Sequence, residues 1–218
     1  MLSVFKDLSV HGTASKLDQF IDAVSARLAS GWTRYLEGER RLKEMALSSD
    51  EPQFAFACAA AGDRPAAGLF LMRRAGGFEV TNIVPQESGS LTKAQYNAIL
   101  DDFADRNARP AADALGLMVE ITADRQPITH WISPEAARCL ERFSRAANKG
   151  TGSSHPLDFR RWAAFLILAH RESAELDTEI LRRWLVEEEG WSEDKAADLA
   201  IEYEFARSLL DAYDGSSE

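Results

Sequence analysis

With 218 residues, 45% of them hydrophobic and 28% charged, the chain has the composition of an ordinary globular protein and is long enough to bury a real core. Its 35 acidic residues outnumber its 25 basic ones, and the net charge of −10 argues against binding to nucleic acid or to an anionic membrane surface. Its apolar runs are far shorter than the roughly 20 residues that a membrane helix needs, and its amino-terminal residues lack the pattern of a secretion signal. We therefore expect a cytoplasmic protein without a membrane span.

The first predicted elements are a short apolar segment and a helical region. The first twelve residues fit either a small edge strand or a packing arm. Apolar residues then recur at helical spacing from Leu17 to Leu28, and Trp32 extends the same face. Because Gly31 and Gly38 would each weaken a helix interior by about 1 kcal/mol relative to alanine, we expect a kink or two helices between residues 15 and 46.

The pattern then changes to extended structure. A break runs from Ser48 to Pro52, and three segments with alternating apolar and polar residues follow it, joined by short turns. The predicted strands cover residues 53–60, 68–73 and 77–84. In the third strand, the alternation places Phe78, Val80 and Asn82 on one face and Ile83 on the other. Three consecutive antiparallel strands are the simplest interpretation.

A helix, a strand and a further helix complete this region. We expect the first helix to be capped by Ser90 and interrupted at Arg109–Pro110. The strand from Leu117 to Thr122 is apolar enough to lie well inside the sheet. Residues 1–147 are therefore predicted to form an α+β domain with a mostly antiparallel sheet of about four strands, packed by helices.

The remaining chain predicts only helices. Ser133 caps the last helix of the α+β domain, and three further segments with helical periodicity start near Pro156, near Leu176 and at Ser192. We interpret residues 148–218 as a bundle-like helical C-terminal subdomain. The aromatic residues of this tail recur at helical spacing, which is typical of a core. They include Trp162, Trp184, Trp191, Tyr203, Phe205 and Tyr213.

The loop between the two predicted domains is the main candidate binding site. Glycines and hydroxyl groups before a helix N-terminus can bind a phosphate or carboxylate through backbone N–H groups and the helix dipole. The candidate ligand-binding residues are Thr151, Ser153, Ser154, His155, Asp158 and Arg161. Asp158 is expected to hold the His155 ring across one helical turn. The alternative is a plain junction, in which Ser154 or His155 only caps the helix that follows.

A second candidate lies where the third predicted strand gives way to the next helix. Asn82 and Glu87 are polar residues on either side of the turn at Pro85, and ligand contacts often occur where a sheet is followed by a helix. Ordinary turn chemistry around Pro85 accounts for the same pattern.

We assign no catalytic residue, metal ligand or cofactor. The four histidines lack the spacing of a helical metal site, and Cys58 and Cys139 fit two buried thiols in a reducing compartment. The sequence motifs that surround a nucleophilic serine or cysteine are also absent from the sequence.

Two functions of different classes remain open. The acidic balance and the failure of the catalytic motifs favour a non-enzymatic binding or regulatory protein that neutralises a basic protein partner, as immunity proteins, antitoxins and chaperones do. The order helix, three strands, helix, strand, helix is similar to secretion-chaperone architecture, a likeness of topology alone. The alternative is an enzyme that binds an anionic small molecule or nucleotide at the Gly/Ser loop 149–155. A homodimer is compatible with both.

Overall fold

The computed structural model describes residues 1–45 and 51–216, which form two compact units. The sheet unit is Val4–Asp124, and the helical unit combines Met1–Ser3 with Arg125–Glu218. The chain therefore begins in the helical unit, forms the whole sheet unit and then returns. Position 46 of the predicted helical region and residues 48–50 of the predicted break lie outside the described residues.

The elements are numbered in chain order. The strands are β1 (Leu2–Ser3), β2 (Leu8–His11), β3 (Trp32–Arg34), β4 (Gln53–Cys58), β5 (Ala67–Arg74), β6 (Gly77–Pro85), β7 (Met118–Ile121) and β8 (Arg125–Gln126). The helices are α1 (Ala14–Ser25), α2 (Leu36–Met45), α3 (Lys93–Phe103), α4 (Arg109–Leu115), α5 (Pro134–Ala146), α6 (Pro156–Arg171), α7 (Thr178–Glu187) and α8 (Glu193–Gly215). A π-helical turn (Ala104–Ala108) joins α3 to α4.

The fold is α+β with an antiparallel sheet and an all-helical C-terminal region, as the sequence predicts. The sheet has six strands, in the order β3-β4-β5-β6-β2-β7, where the sequence indicated about four. One added strand, β3, contains Trp32, which the sequence placed on a helix. The other, β2, pairs with β6 and β7, so this part of the first twelve residues is an interior strand.

Two expectations about individual strands were wrong. Strand β7 lies at the edge of the sheet, because β2 occupies the interior position beside it, and Met118 is largely exposed. In β6, the register against β5 shifts between Phe70 and Leu71, so Asn82 is exposed and Ile83 is buried with Phe78. An irregularity of this kind shifts the alternation by one residue, which strict period-two reasoning cannot anticipate.

Helix starts mostly follow the predicted caps. The hydroxyl groups of Ser133 and Ser192 accept the N–H groups three residues later, at the starts of α5 and α8. At α3 the cap is Thr92 and not Ser90, because Thr92 and Gln95 form a reciprocal capping box.

The helical path from α3 to α4 is continuous, where the sequence predicted an interruption at Arg109–Pro110. A proline in a regular helix clashes with the carbonyl four residues earlier. The π turn that ends at Ala108, two residues before Pro110, relieves this constraint because its backbone is wider than that of an α-helix. The same turn places Asn107 in the interior, where its Oδ1 accepts the Ala29 N–H at 2.9 Å.

Each unit has its own hydrophobic core. In the sheet unit, α1, α3 and α4 cover one face of the sheet, and the rings of Phe56 and Phe103 meet at 5.2 Å. In the helical unit, Phe143 of α5 and Trp162 of α6 share a core with α7 and α8, and Leu2 of β1 is fully buried in it. Strand β1 pairs with β8. No helix among the described residues is both long enough and apolar enough to cross a membrane.

The sheet unit ends at Asp124 and the helical unit resumes at Arg125, whereas the predicted domain boundary lies between residues 147 and 148. The predicted boundary falls between α5 and α6, which pack together in the helical unit. The sequence gives no sign of this because the apolar face of α5 would suit a sheet or a helix equally well. The assignment of two independent domains stays a prediction.

Candidate functional site

The loop from 147 to 155 connects α5 to α6, and its last residue caps α6. His155 has extended backbone geometry, and its Nδ1 accepts the Leu157 N–H at 3.3 Å. Pro156 occupies the first helical position, where its missing N–H costs nothing. The histidine, rather than Ser154, is therefore the cap.

Asp158 is the buried charge of this region. It is only 5% exposed, and its Oδ1 accepts a hydrogen bond from Arg161 Nη1 at 2.6 Å. Its Oδ2 accepts the Asn148 N–H at 3.4 Å, which ties the loop to the first turn of α6. A carboxylate at this position is also stabilised by the helix dipole. Asp158 thus pairs with Arg161, whereas the sequence suggested a pair with His155.

The backbone donors of the loop are largely used within the loop itself. The N–H groups of Thr151 and Gly152 donate to the Asn148 carbonyl at 3.0 Å, and the Ser154 N–H donates to the Thr151 carbonyl at 3.3 Å. Gly152 has φ of +64°, a conformation that favours glycine. These bonds favour a structured junction, because an anion would have to compete with them for the same donors.

Two side chains attach the loop to the α7–α8 pair. Lys149 donates to the Glu189 carbonyl and lies 6.0 Å from the centre of the Trp191 ring. Ser153 is nearly buried, and its Oγ lies 2.7 and 2.9 Å from the two carboxylate oxygens of Glu202 on α8. The loop is therefore held on both sides.

Most of the predicted loop residues line one cavity of about 630 Å³. They are Thr151, Ser154, His155, Asp158 and Arg161. Since the guanidinium of Arg161 is already paired with a buried carboxylate, the cavity offers little free positive charge to an anion. Ligand binding by these residues stays a prediction.

The other predicted residues lie elsewhere. Ser153 faces a neighbouring groove between α6 and α8. Asn82 and Glu87 belong to the sheet unit, where both are exposed and the Asn82 Oδ1 accepts the N–H of Ile83 at 2.8 Å. The structure therefore does not bring these two into one compact unit with the loop.

An exposed apolar surface on α8 is the feature that sequence reasoning missed. Phe205 and Tyr213 were assigned to the core, but 68% and 67% of their surface is exposed. Together with Ile201 and Leu209 they form a row with a residue every four positions, which we call the α8 stripe. The buried residues of α8 lie on another face, at Ala196, Leu199, Ala200 and Tyr203. The signal was present in the sequence as two separate sets of apolar positions on one helix.

The α8 stripe borders an apolar groove of about 810 Å³, which we call the α6–α8 groove. Phe159 and Ala163 of α6 form one wall, and Phe205 and Leu209 of α8 form the other. Its charged lining residues are Arg160 on α6 and Glu202 on α8. Walls of this kind favour the binding of an apolar side chain or ligand and provide few polar groups that could take part in catalysis.

A histidine connects the end of α8 to α6. The ring of His170 lies between two carboxylates, with Nε2 at 2.8 Å from Asp214 Oδ2 and Nδ1 at 3.4 Å from Asp211 Oδ1. We call this arrangement the His170 clamp. It holds the part of α8 that follows Tyr203, where none of the described residues is buried.

A polar cluster in the sheet unit is centred on Asp102. The carboxylate of Asp102 accepts from Trp32 Nε1 at 2.7 Å, and it pairs with Arg64 at 2.8 Å and with Arg106 at 3.3 Å. Burial raises the pKa of the nearby Cys58 thiol, so this thiol is unsuited to act as a nucleophile. The cluster joins β3, α3 and the residues after β4, which is a structural role.

Within residues 1–45 and 51–216, no three His, Cys, Asp or Glu side chains are placed so that they could hold a metal ion. Comparisons with protein-family models, with curated proteins and with solved structures found no match. A proposal about function therefore has to rest on the surfaces and cavities of this chain alone.

Proposed function

We propose that the chain is a non-enzymatic cytoplasmic binding protein that neutralises or escorts a basic protein partner, as immunity proteins, antitoxins and chaperones do. The observation that carries this proposal is the α8 stripe. The two supporting arguments concern its apolar area and the charge of the helix that presents it.

The exposed apolar side chains of the α8 stripe follow one another along one helix, which argues for a partner. More than half of the surface of each stripe residue is exposed, and Phe159 across the groove is equally accessible. Soluble monomers rarely expose contiguous apolar patches larger than a few hundred Å², and larger ones commonly mark interaction sites. Full burial of a side chain of this size stabilises a complex by about 1.5–3 kcal/mol relative to leaving it in water.

The charge of α8 points to a basic partner. Two basic residues, Lys195 and Arg207, are outnumbered on this helix by seven acidic ones: Glu193, Asp194, Asp198, Glu202, Glu204, Asp211 and Asp214. Complementary charge accelerates association and disfavours acidic competitors. An apolar row on an acidic helix therefore suits a protein with apolar anchors and basic margins.

Affinity capture from the native host, followed by mass spectrometry, tests this proposal. The chain should retain a stoichiometric protein with a basic isoelectric point, and Phe205→Ser should lose it. Met118→Ser is the matched control, since Met118 is an exposed apolar residue of the sheet unit. Two outcomes would contradict the proposal: the chain retains no stoichiometric protein, or the Phe205→Ser variant retains the same protein equally well.

A second candidate function is an enzyme that binds an anionic small molecule or nucleotide at loop 149–155. The observation in its favour is the cavity that Thr151, His155 and Arg161 line together. A thermal melting screen with nucleotides, phosphate and divalent metals tests it. A shift of several degrees that disappears in the double variant His155→Ala, Arg161→Ala would support this candidate, and the absence of any shift would remove it.

A further inference from the structure

We infer that the α6–α8 groove receives an amphipathic helix of the partner, with apolar residues in the groove and Lys or Arg along the margin that faces α8. This inference rests on the proposed function and specifies the part of the partner that makes contact. It follows from the shape of the groove, the spacing of the α8 stripe and the positions of the charges.

The shape of the groove suits a rod-like ligand. The α8 stripe extends over thirteen residues, from Ile201 to Tyr213, and its two ends lie about 18 Å apart along the helix axis. Phe205 and Leu209 stand one turn apart on the groove, opposite Phe159. A partner helix of three to four turns would match this length with anchors at positions i, i+3 or i+4, and i+7.

The lining of the groove argues against a small polar ligand. Ser153 is a nearly buried polar residue of the lining, and its hydroxyl group already donates to Glu202. Apart from Glu202 and the exposed side chains of Ser154 and Arg160, the other lining residues are apolar. Because few polar groups converge in the groove, burial of apolar surface has to supply most of the recognition.

The charges specify the margins of the partner helix. Among the described residues, the carboxylate of Glu202 accepts from a hydroxyl group and forms no ion pair within 4 Å, although Lys195 interacts with it at longer range. Asp198 lies one turn before it, where its ion pair with Lys195 is exposed and therefore weak. A Lys or Arg of the partner near these two carboxylates would gain a favourable interaction at little cost.

A second copy of this chain fits the same surface less well. Each copy has a net charge of −10, so two copies repel one another at long range. In an antiparallel pairing of two α8 helices centred on Phe205, Asp198 would face Ala212 of the other copy instead of a basic residue. The observed charges therefore favour a basic helix over self-association.

The experiment uses a fluorescein-labelled helical peptide of about 16 residues as the probe, with leucines on one face and lysines along the margins. We expect fluorescence anisotropy to show saturable binding to the full chain. The double variant Phe205→Ser, Leu209→Ser should weaken it by at least about tenfold, and Glu202→Gln by about threefold. Met118→Ser should bind like the unmodified chain. These substituted residues are exposed, and circular dichroism would check that each variant is folded.

A matched peptide with the same leucines and glutamates along the margins should not bind. Equal binding of both peptides would overturn the inference, as would binding of the lysine peptide that the double variant leaves unchanged. If sedimentation equilibrium shows that the unmodified chain is a dimer and the double variant a monomer, the inference is overturned in favour of a second copy.

The failure of the inference and that of the proposed function are distinguishable. If the lysine peptide does not bind, but the chain still captures a basic protein and Phe205→Ser loses it, the inference is wrong and the proposed function stands. If neither the peptide nor a protein binds, both are wrong.

Discussion

The carboxylate of Asp102 accepts hydrogen bonds from three side chains of the sheet unit. Burial by itself would raise the pKa of Asp102, but hydrogen bonds from Trp32, Arg64 and Arg106 outweigh it and hold the pKa below its usual value. A carboxyl whose pKa is lower in the folded than in the unfolded chain stabilises the fold above its unfolded pKa. That stabilisation is lost as the pH falls through the folded pKa.

We therefore predict that Asp102→Asn lowers the free energy of unfolding at neutral pH by about 1–3 kcal/mol. The difference from the unmodified chain should begin to shrink as the pH falls below about 4, where Asp102 of the unfolded chain takes up a proton. It should be smallest below the still lower pKa of the folded chain, where both side chains are uncharged. Urea denaturation at several pH values measures this. The control is Asp105→Asn on the same helical path, because Asp105 is exposed and forms a surface pair with Arg109. A loss of stability at Asp102→Asn that is independent of pH would contradict the argument.

Among the elements, α8 is the least evenly supported. Its first half buries Leu199 and Tyr203, and the Tyr203 hydroxyl donates to the Leu176 carbonyl at 2.9 Å. Its second half exposes Phe205 and Leu209, and the His170 clamp connects it to α6. A helix supported in this way is expected to open locally before the whole unit unfolds.

We predict that His170→Ala accelerates amide hydrogen exchange in the last two turns of α8 by about tenfold and leaves exchange near Leu199 unchanged. The reason is that the clamp binds Asp211 and Asp214, which lie in those turns. Hydrogen exchange with mass spectrometry measures both regions in one experiment. Lys195→Ala, which removes an exposed ion pair from the first half, should change neither. Unaltered exchange at the end of α8 in His170→Ala would show that the clamp does not hold it.

The sequence predicts an element well where the information is local. Ser133 and Ser192 mark helix starts because a hydroxyl group and the N–H three residues later form one local bond. The position of β2 between β6 and β7 depends on pairing with distant segments, which no local pattern specifies. The irregular register near Asn82 could not be predicted for the same reason, because it exists only in the pairing of β6 with β5.

The candidate site was predictable to a similar degree. Loop residues close together in sequence, such as Thr151 and Arg161, do line one cavity. The pairing of Asp158 was not predictable, because His155 and Arg161 are both one turn away and only the folded loop selects between them. The α8 stripe was visible as a second apolar row, but apolar residues on a helix are more often buried than exposed.

For the whole molecule, the helical unit depends on residues from both ends of the chain. Leu2 is fully buried in its core, and the N-terminal amino group pairs with Glu188 at 2.5 Å. Arg183 donates to the Ser3 carbonyl at 2.7 Å. These contacts make three N-terminal residues a structural part of a unit whose remaining residues start at Arg125.

We predict that Leu2→Ala destabilises the helical unit by about 2–4 kcal/mol, because it leaves a cavity in a fully buried site. Chemical denaturation followed by tryptophan fluorescence suits this test, since Trp131, Trp162, Trp184 and Trp191 belong to the helical unit. Leu36→Ala provides the control, because Leu36 is exposed on α2. An equally small effect of both substitutions would show that β1 is dispensable.

The split helical unit also fixes an order of events during synthesis. Leu2 is synthesised before its neighbours in α5, α6 and α7, which follow only after the entire sheet unit has been made. The sheet unit is continuous from Val4 to Asp124, so a nascent chain can complete it early. A chain that ends at residue 124 of this sequence would still contain the six strands of the described sheet. No single cut, by contrast, releases the helical unit with its β1 strand attached.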